Sequence, residues 1–281
     1  MASKNPLTKK AIITHLNVRQ FSGVTTDRTP LAAVAKQFHS ETTGDKYLKS
    51  LFTTNALAET KLQAGRARTN HYQFSVPWLD GAGRLIFHKH LPEFQPKHKQ
   101  IKHDFDKAAL EFAEEYPQLV QKAKEVKGDL FNPNEYPAAD TILSRFSIRL
   151  NVLPFPDSAD FRLDCADEEI KELRKQLDDN IPTITSDVVR SVGARVAERA
   201  KKILDGMSKG KNFTRTHLDQ MATVLPFIDC IPGIVPEEFI KMRERIENEF
   251  LCYEAEQIRE NETLANDIHS LMVAAVKAYT V

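Results

Sequence analysis

Residues 145–165, RFSIRLNVLPFPDSADFRLDC, decide the fold. Phe146, Ile148 and Leu150 alternate with Ser147, Arg149 and Asn151, the period of two expected of a half-buried strand. Pro154-Phe155-Pro156-Asp157 is a turn signal, and Phe161 to Cys165 reads as a returning strand, so the segment predicts a β-hairpin. One further strand is expected near the front, over residues 11–21, where Leu16 and Val18 alternate with Asn17 and Arg19 before Gly23. A sheet of this size cannot carry 281 residues. The rest of the chain reads mainly as helix.

After the hairpin, Asp167, Glu168 and Glu169 place anions where a helix N-terminus favours them, and Ile170, Leu173 and Leu177 follow. Pro182 is expected to interrupt this helix. Val188, Val189, Val192, Val196, Ala200 and Ile203 resume the apolar stripe until Gly206. Further helices are expected over 213–227, 236–260 and 262–279. In the last two, Phe239, Met242, Ile246, Phe250 and Tyr253, and then Leu264, Ile268, Leu271 and Ala275, step by three and four. Such faces bury themselves within the chain or in a second copy, so homo-oligomerisation through the C-terminal helices is one expectation.

Ahead of the hairpin, Thr29-Pro30 opens a short helix with Leu31, Val34 and Phe38 inward. A second helix is expected over 46–68, with Leu48, Leu51, Phe52, Leu57 and Leu62 as apolar positions and Gly65 weakening its end. Pro77 closes that region, and Asp80-Gly81 with Gly83 marks a turn before a short strand at 84–88. Ile101, Phe105, Ala108, Phe112 and Tyr116 then define a long helix over 94–126, with a kink expected at Pro117. The proline-broken stretch 128–137 is a loop. These elements predict an α+β protein, predominantly helical with a small antiparallel sheet. A basic α+β region, 1–166, is expected to pack with a helical bundle region, 167–281, as one compact unit.

Lys+Arg and Asp+Glu each number 39, so the formal net charge is zero. The charge is unevenly spread: through Lys107 there are seventeen basic and eight acidic residues, and beyond it 22 and 31. A basic front opposed by an acidic back points to nucleic-acid contact or to halves that dock on each other. Cys165, Cys230 and Cys252 are odd in number and lack CxxC spacing, which fits buried thiols in a reducing compartment. The opening MASKNPLTKK has no apolar signal core and no apolar run reaches the roughly 20 residues needed to span a bilayer. The expectation is a soluble cytoplasmic protein without membrane contact.

No GxxxxGK[ST], GxSxG, HExxH or GxGxxG occurs, so no catalytic residue, cofactor or metal ligand is assigned. His88 and His90 would share a face if they lay in a strand, but His98 and His103 fall about 140° apart on a helix. The acids Asp157, Asp160, Asp164, Asp167, Glu168 and Glu169 crowd one region, where they serve as turn formers and helix-start acids or, alternatively, as the metal site of a nuclease. The densest chemistry lies in residues 61–90, KLQAGRARTNHYQFSVPWLDGAGRLIFHKH, with a single acid, Asp80. Lys61, Arg66, Arg68, Arg84 and Lys89 can neutralise phosphates while Tyr72, Phe74 and Trp78 stack on bases. Arg195, Arg199 and Lys202 form a polar helix stripe that reads as a solvated face, with Glu198 available to Lys202.

FSGVTTDR near the front, RARTNHYQFSVPW, NVLPFPDSADFRLD and the late LPFIDC together resemble a family of unassigned function encoded by tailed bacteriophages and related mobile elements. The likeness spans most of the chain and brings no catalytic residues with it. Some members are encoded beside MoxR-type AAA+ ATPase and von Willebrand A genes. Pro182 departs from the continuous long helix that the resemblance implies. The leading expectation is therefore a non-enzymatic phage accessory protein of DNA metabolism that binds single-stranded DNA. An adaptor or regulator of a AAA+ ATPase or host protein is the alternative, and a metal-dependent nuclease the third.

Overall fold

The computed structural model of the chain describes residues 7–27, 35–39, 47–52, 55–79, 83–156, 167–208, 213–231 and 233–280. It is α+β and mostly helical, with strands β1 (Ala11–Arg19), β2 (Val24–Asp27), β3 (Tyr47–Ser50), β4 (Ser75–Trp78), β5 (Gly83–Phe87) and β6 (Ser147–Pro154). The α-helices described over their whole length are α1 (Ala58–Gln73), α2 (Leu91–Lys127), α3 (Asp167–Ser208), α4 (Arg215–Val224), α5 (Glu237–Glu249), α6 (Ala255–Glu260) and α7 (Glu262–Tyr279). One sheet has the order β4-β5-β1-β6 and a second joins β2 to β3. β5 pairs antiparallel with β4 and with β1, Ile86 facing Ser75 on one side and Ile12 on the other. No helix among the described residues is long and apolar enough to cross a membrane.

The chain divides into two compact units, but not at residue 166. The first comprises Met1–His15, Tyr72–Pro92 and Val152–Val281; the second comprises Leu16–His71 and Glu93–Asn151. The expected boundary follows the change from mixed to helical composition, whereas each unit is set by which segments share a core. Residues 72–92 read with the front of the chain and yet supply β4 and β5 to the unit that holds the C-terminal helices.

In the first unit, the stripe Val188, Val192, Val196, Ala200 and Ile203 of α3 is buried, and α3 packs along α7 through Ile268, Leu271, Met272 and Ala275. The inward residues Val76, Trp78, Leu85 and Phe87 of β4 and β5 enter the same core. Each such side chain contributes about 2 kcal/mol through removal from water, before chain entropy is set against it. Pro182 lies inside α3, which continues to Ser208, so the expected interruption does not occur. Proline deletes one intrahelical donor, and the bonds on either side carry the helix through. The helix expected over 236–260 does break, giving α5 and α6, because Glu254 begins a new capping box with Gln257. Phe239, Ile246 and Phe250 are buried in this unit's core, while Tyr253 is exposed rather than part of the stripe.

The second unit is built on aromatic rings. Phe52 meets Phe112, Tyr116 and Tyr136 edge to face with centroids 5.8–5.9 Å apart. Phe112, Tyr116 and Phe105 come from α2, whose 37 residues bracket the expected 94–126 and run through Pro117. The helix expected over 46–68 begins only at Ala58; Tyr47–Ser50 is instead β3, with Thr26 opposite Leu48 and Asp27 opposite Tyr47. Leu48 (66% exposed) and Phe38 (69%) are not core residues. What holds β3 is Lys49, 4% exposed, whose Nζ lies 2.8 Å from the Glu135 carboxylate and 3.5 Å from that of Asp27, and which also donates to the Leu130 carbonyl. Residues 29–34, the 80–82 turn and the returning strand at 161–165 lie outside the described residues.

Candidate nucleic-acid interface

The eight residues singled out by composition do not form one set. Lys61, Arg66 and Arg68 are exposed on the part of α1 that belongs to the second unit, and none forms an ion pair with a described residue. Tyr72, Phe74, Trp78, Arg84 and Lys89 belong to the first unit. Of its three rings only Tyr72, 57% exposed, is open to solvent. Phe74 (2%) lies 6.1 Å from the His90 ring, and Trp78 (6%) meets Phe155 edge-on at 4.9 Å. Phe74 and Trp78 are therefore core residues and cannot stack on bases in this structure. Lys89 is exposed and donates to the Asp229 carbonyl at 3.0 Å, and Asp229 is itself paired with Arg243 at 3.2 Å.

Arg84 is brought against Tyr72. Its guanidinium carbon sits 4.3 Å from the centre of the tyrosine ring, cation–π range. Two further bonds fix it: Nε donates to Ser75 Oγ at 2.7 Å and Nη2 to the Ser75 carbonyl at 2.9 Å. Burial holds its pKa below the ordinary arginine value, and the neighbouring Tyr72 acts against that shift.

Composition alone misses Arg195. It is not on a solvated face: Nη1 donates to the Ser75 carbonyl at 2.5 Å and Nη2 to the Gln73 carbonyl at 2.9 Å, and the group lies 4.5 Å over the Phe227 ring. Gln73 is the last residue of α1, where carbonyls lack helical partners and carry the negative end of the helix dipole. A guanidinium answers both needs. Burial first, then the positive charges of Arg84 and Arg199, push Arg195 down to about 10, with Glu198 opposing. Two unit charges about 5 Å apart repel by about 3 kcal/mol at the effective dielectric near a protein surface. Arg195 thus sits in an environment already rich in positive charge. The signal for it was position: residue 195 flanks the Val192–Val196–Ala200 stripe rather than opposing it.

One turn further along α3, Arg199 Nη1 donates to Gln220 Oε1 at 3.3 Å. Glu198 is taken by Lys202 at 2.6 Å, as the sequence spacing allowed. No carboxylate among the described residues forms an ion pair with Arg84, Arg195 or Arg199.

Other candidate chemistry in the first unit is spent on structure. His88 and His90 lie in a 3₁₀ turn, not a strand; His88 is exposed and bonds the Lys10 carbonyl, while His90 is buried. His90 Nε2 lies 3.4 Å from Cys230 Sγ, a pairing that in an open site could activate a thiol. Burial here pushes the Cys230 thiol up to about 12, with Lys89 opposing and Asp229 adding to the shift, so it stays protonated. Among the described residues no three His, Cys, Asp or Glu side chains are placed to hold a metal ion. Glu168 and Glu169 are exposed at the start of α3, and Asp157, Asp160 and Asp164 lie outside the described residues.

Compared with protein-family models, curated proteins and solved structures, the chain matches none.

Proposed function

We propose that this is a non-enzymatic nucleic-acid-binding protein, an accessory of phage DNA metabolism that holds single-stranded DNA in the host-cell cytoplasm. The observation that carries the reading is the Tyr72–Arg84 pair: an exposed ring with a guanidinium at 4.3 Å, beside two further arginines with which no described carboxylate forms an ion pair. A base stacks on such a ring irrespective of its identity, and adjacent guanidinium groups bind the phosphates that flank it. Unpaired bases offer their faces to the ring, whereas paired bases in a duplex do not, which is why a single strand is favoured. The phage setting rests on the resemblance in the order of FSGVTTDR, RARTNHYQFSVPW and LPFIDC.

Fluorescence anisotropy with a labelled oligonucleotide tests the reading. Single strands are expected to bind at low salt, to outcompete duplex, and to weaken as salt is raised, because bound cations are released from and return to the phosphates. Tyr72→Ala is expected to weaken binding about tenfold, in line with the loss of one stacked base. Absence of binding at low salt, or binding indifferent to salt, would refute it.

A further inference from the structure

Backbone carbonyls hold Arg84 and Arg195 close together and the Gln220 side chain holds Arg199; none of the three forms an ion pair with a described acid. Arg84 and Arg195 bond the same Ser75 carbonyl oxygen, so the two donor nitrogens can be no farther apart than the sum of 2.9 and 2.5 Å. Arg199 follows Arg195 by four positions on α3 and so occupies the neighbouring place on the same helix face. A guanidinium has five N–H donors. Arg84 and Arg195 each commit two of theirs to described acceptors and Arg199 commits one, so most of the donors of the group have no described acceptor. The nearby acid, Glu198, is engaged by Lys202.

Three guanidinium groups with no ion-paired carboxylate among the described residues repel one another, Glu198 offsetting this only in part, and an anion placed between them removes that cost. A planar fork of N–H donors matches the tetrahedral oxygens of phosphate and can bind two at once. We infer that Arg84, Arg195 and Arg199 form a phosphate-binding subsite beside Tyr72. This rests on the nucleic-acid reading for the source of the phosphate, which is then the group attached to the nucleoside whose base lies on Tyr72. A free phosphate or nucleotide would offer the same chemistry.

Thermal unfolding of the full chain with inorganic phosphate against chloride at matched ionic strength tests the subsite. Phosphate at tenfold over its dissociation constant should raise Tm by about 3 °C. Arg199→Gln should abolish that rise, since Arg199 makes one bond to a neutral side chain and is the member least tied to the fold. Arg245→Gln, an equal charge change in α5, should keep it. Arg199→Lys retains the charge without the fork, should give a reduced rise, and serves if the glutamine variant fails to fold. In the anisotropy assay Arg199→Gln should lower the slope of log affinity against log salt by about one.

No phosphate-specific rise, or a rise that survives both changes at residue 199, overturns the subsite. If the oligonucleotide binds with full affinity to Arg199→Gln and phosphate has no effect, the subsite falls while the nucleic-acid reading stands. If phosphate acts through Arg199 and no oligonucleotide binds, the subsite stands for a free phosphate ligand and the nucleic-acid reading falls.

Discussion

Alanine in place of Gly193 should destabilise the first unit, whereas the same change at Gly65 should stabilise the second. In an open helix position Gly→Ala gains about 1 kcal/mol, because alanine loses less backbone freedom on folding. A methyl carbon at residue 65 meets nothing within 4 Å, so Gly65→Ala should keep that gain. At residue 193 the added carbon would lie 2.8 Å from the Tyr279 carbonyl oxygen and 2.9 Å and 3.0 Å from Phe239 Cζ and Cε2. Neither neighbour can step aside alone. Tyr279 donates its hydroxyl to the Phe239 carbonyl at 2.9 Å, and the two rings meet edge-on at 4.8 Å, so relief requires moving the end of α7 away from α3. Overpacking of this kind costs about 1–3 kcal/mol. Set against the propensity gain, Gly193→Ala should lose about 1 kcal/mol net and lower Tm by about 3 °C. Urea or thermal unfolding read by circular dichroism measures both variants, and the fluorescence of Trp78, the single tryptophan and buried in the first unit, isolates the effect at residue 193. Gly193→Ala at or above wild-type stability would refute the reasoning.

Alkylation mapped by mass spectrometry at mildly alkaline pH should label Cys252, which is exposed, and leave Cys230 unmodified until denaturant is added; labelling of native Cys230 at a comparable rate would contradict its buried, protonated state. Lys49→Met should cost about 3 kcal/mol in the second unit, because it leaves the largely buried carboxylates of Asp27 and Glu135 without their cation. Burial pulls the Lys49 pKa down, but the hydrogen bonds and charges of Glu135 and Asp27 outweigh it and leave it above the ordinary value of 10.5. A raised folded-state pKa means that the stabilisation is fully present below that value and lost as pH rises through the folded one. On the alkaline side the difference between wild type and Lys49→Met should therefore be flat from neutral pH and shrink only in strong alkali; a difference that shrinks between about pH 7 and pH 9 would be inconsistent with the buried ion pair.

Long elements with internal period were legible. Phe105, Phe112 and Tyr116 fix α2, and Ile268, Leu271 and Ala275 fix α7, because a face that must be buried repeats over many turns and overrides the local effect of Pro117. β3 was not legible. Four residues carry no usable period, and Tyr47–Ser50 becomes a strand only because Val24–Asp27 and the Lys49 ion pairs receive it, partners that lie from 20 to 86 residues away in the chain. Proline misled at Pro182: it lowers helix propensity locally, and the helix passes through it, as the helix over 58–73 passes through Gly65.

At the candidate site, composition counts rings and charges without saying which way they face. Read as a basic–aromatic run, Tyr72, Phe74 and Trp78 look equivalent. Yet Phe74, Val76 and Trp78 fall at i, i+2 and i+4, the period of one face of a strand, and that face is buried. Tyr72 stands one residue before the end of α1, where helical rather than strand geometry sets its direction, and it remains in solvent. The Ser75 carbonyl at the first position of β4 then becomes the shared acceptor for Arg84 and Arg195, residues 111 positions apart in the sequence. The helix-to-strand change at Gln73–Ser75 thus does two things at once. It sends two of the three rings into the core, and it leaves carbonyl groups whose arginine partners gather the positive charge around the third.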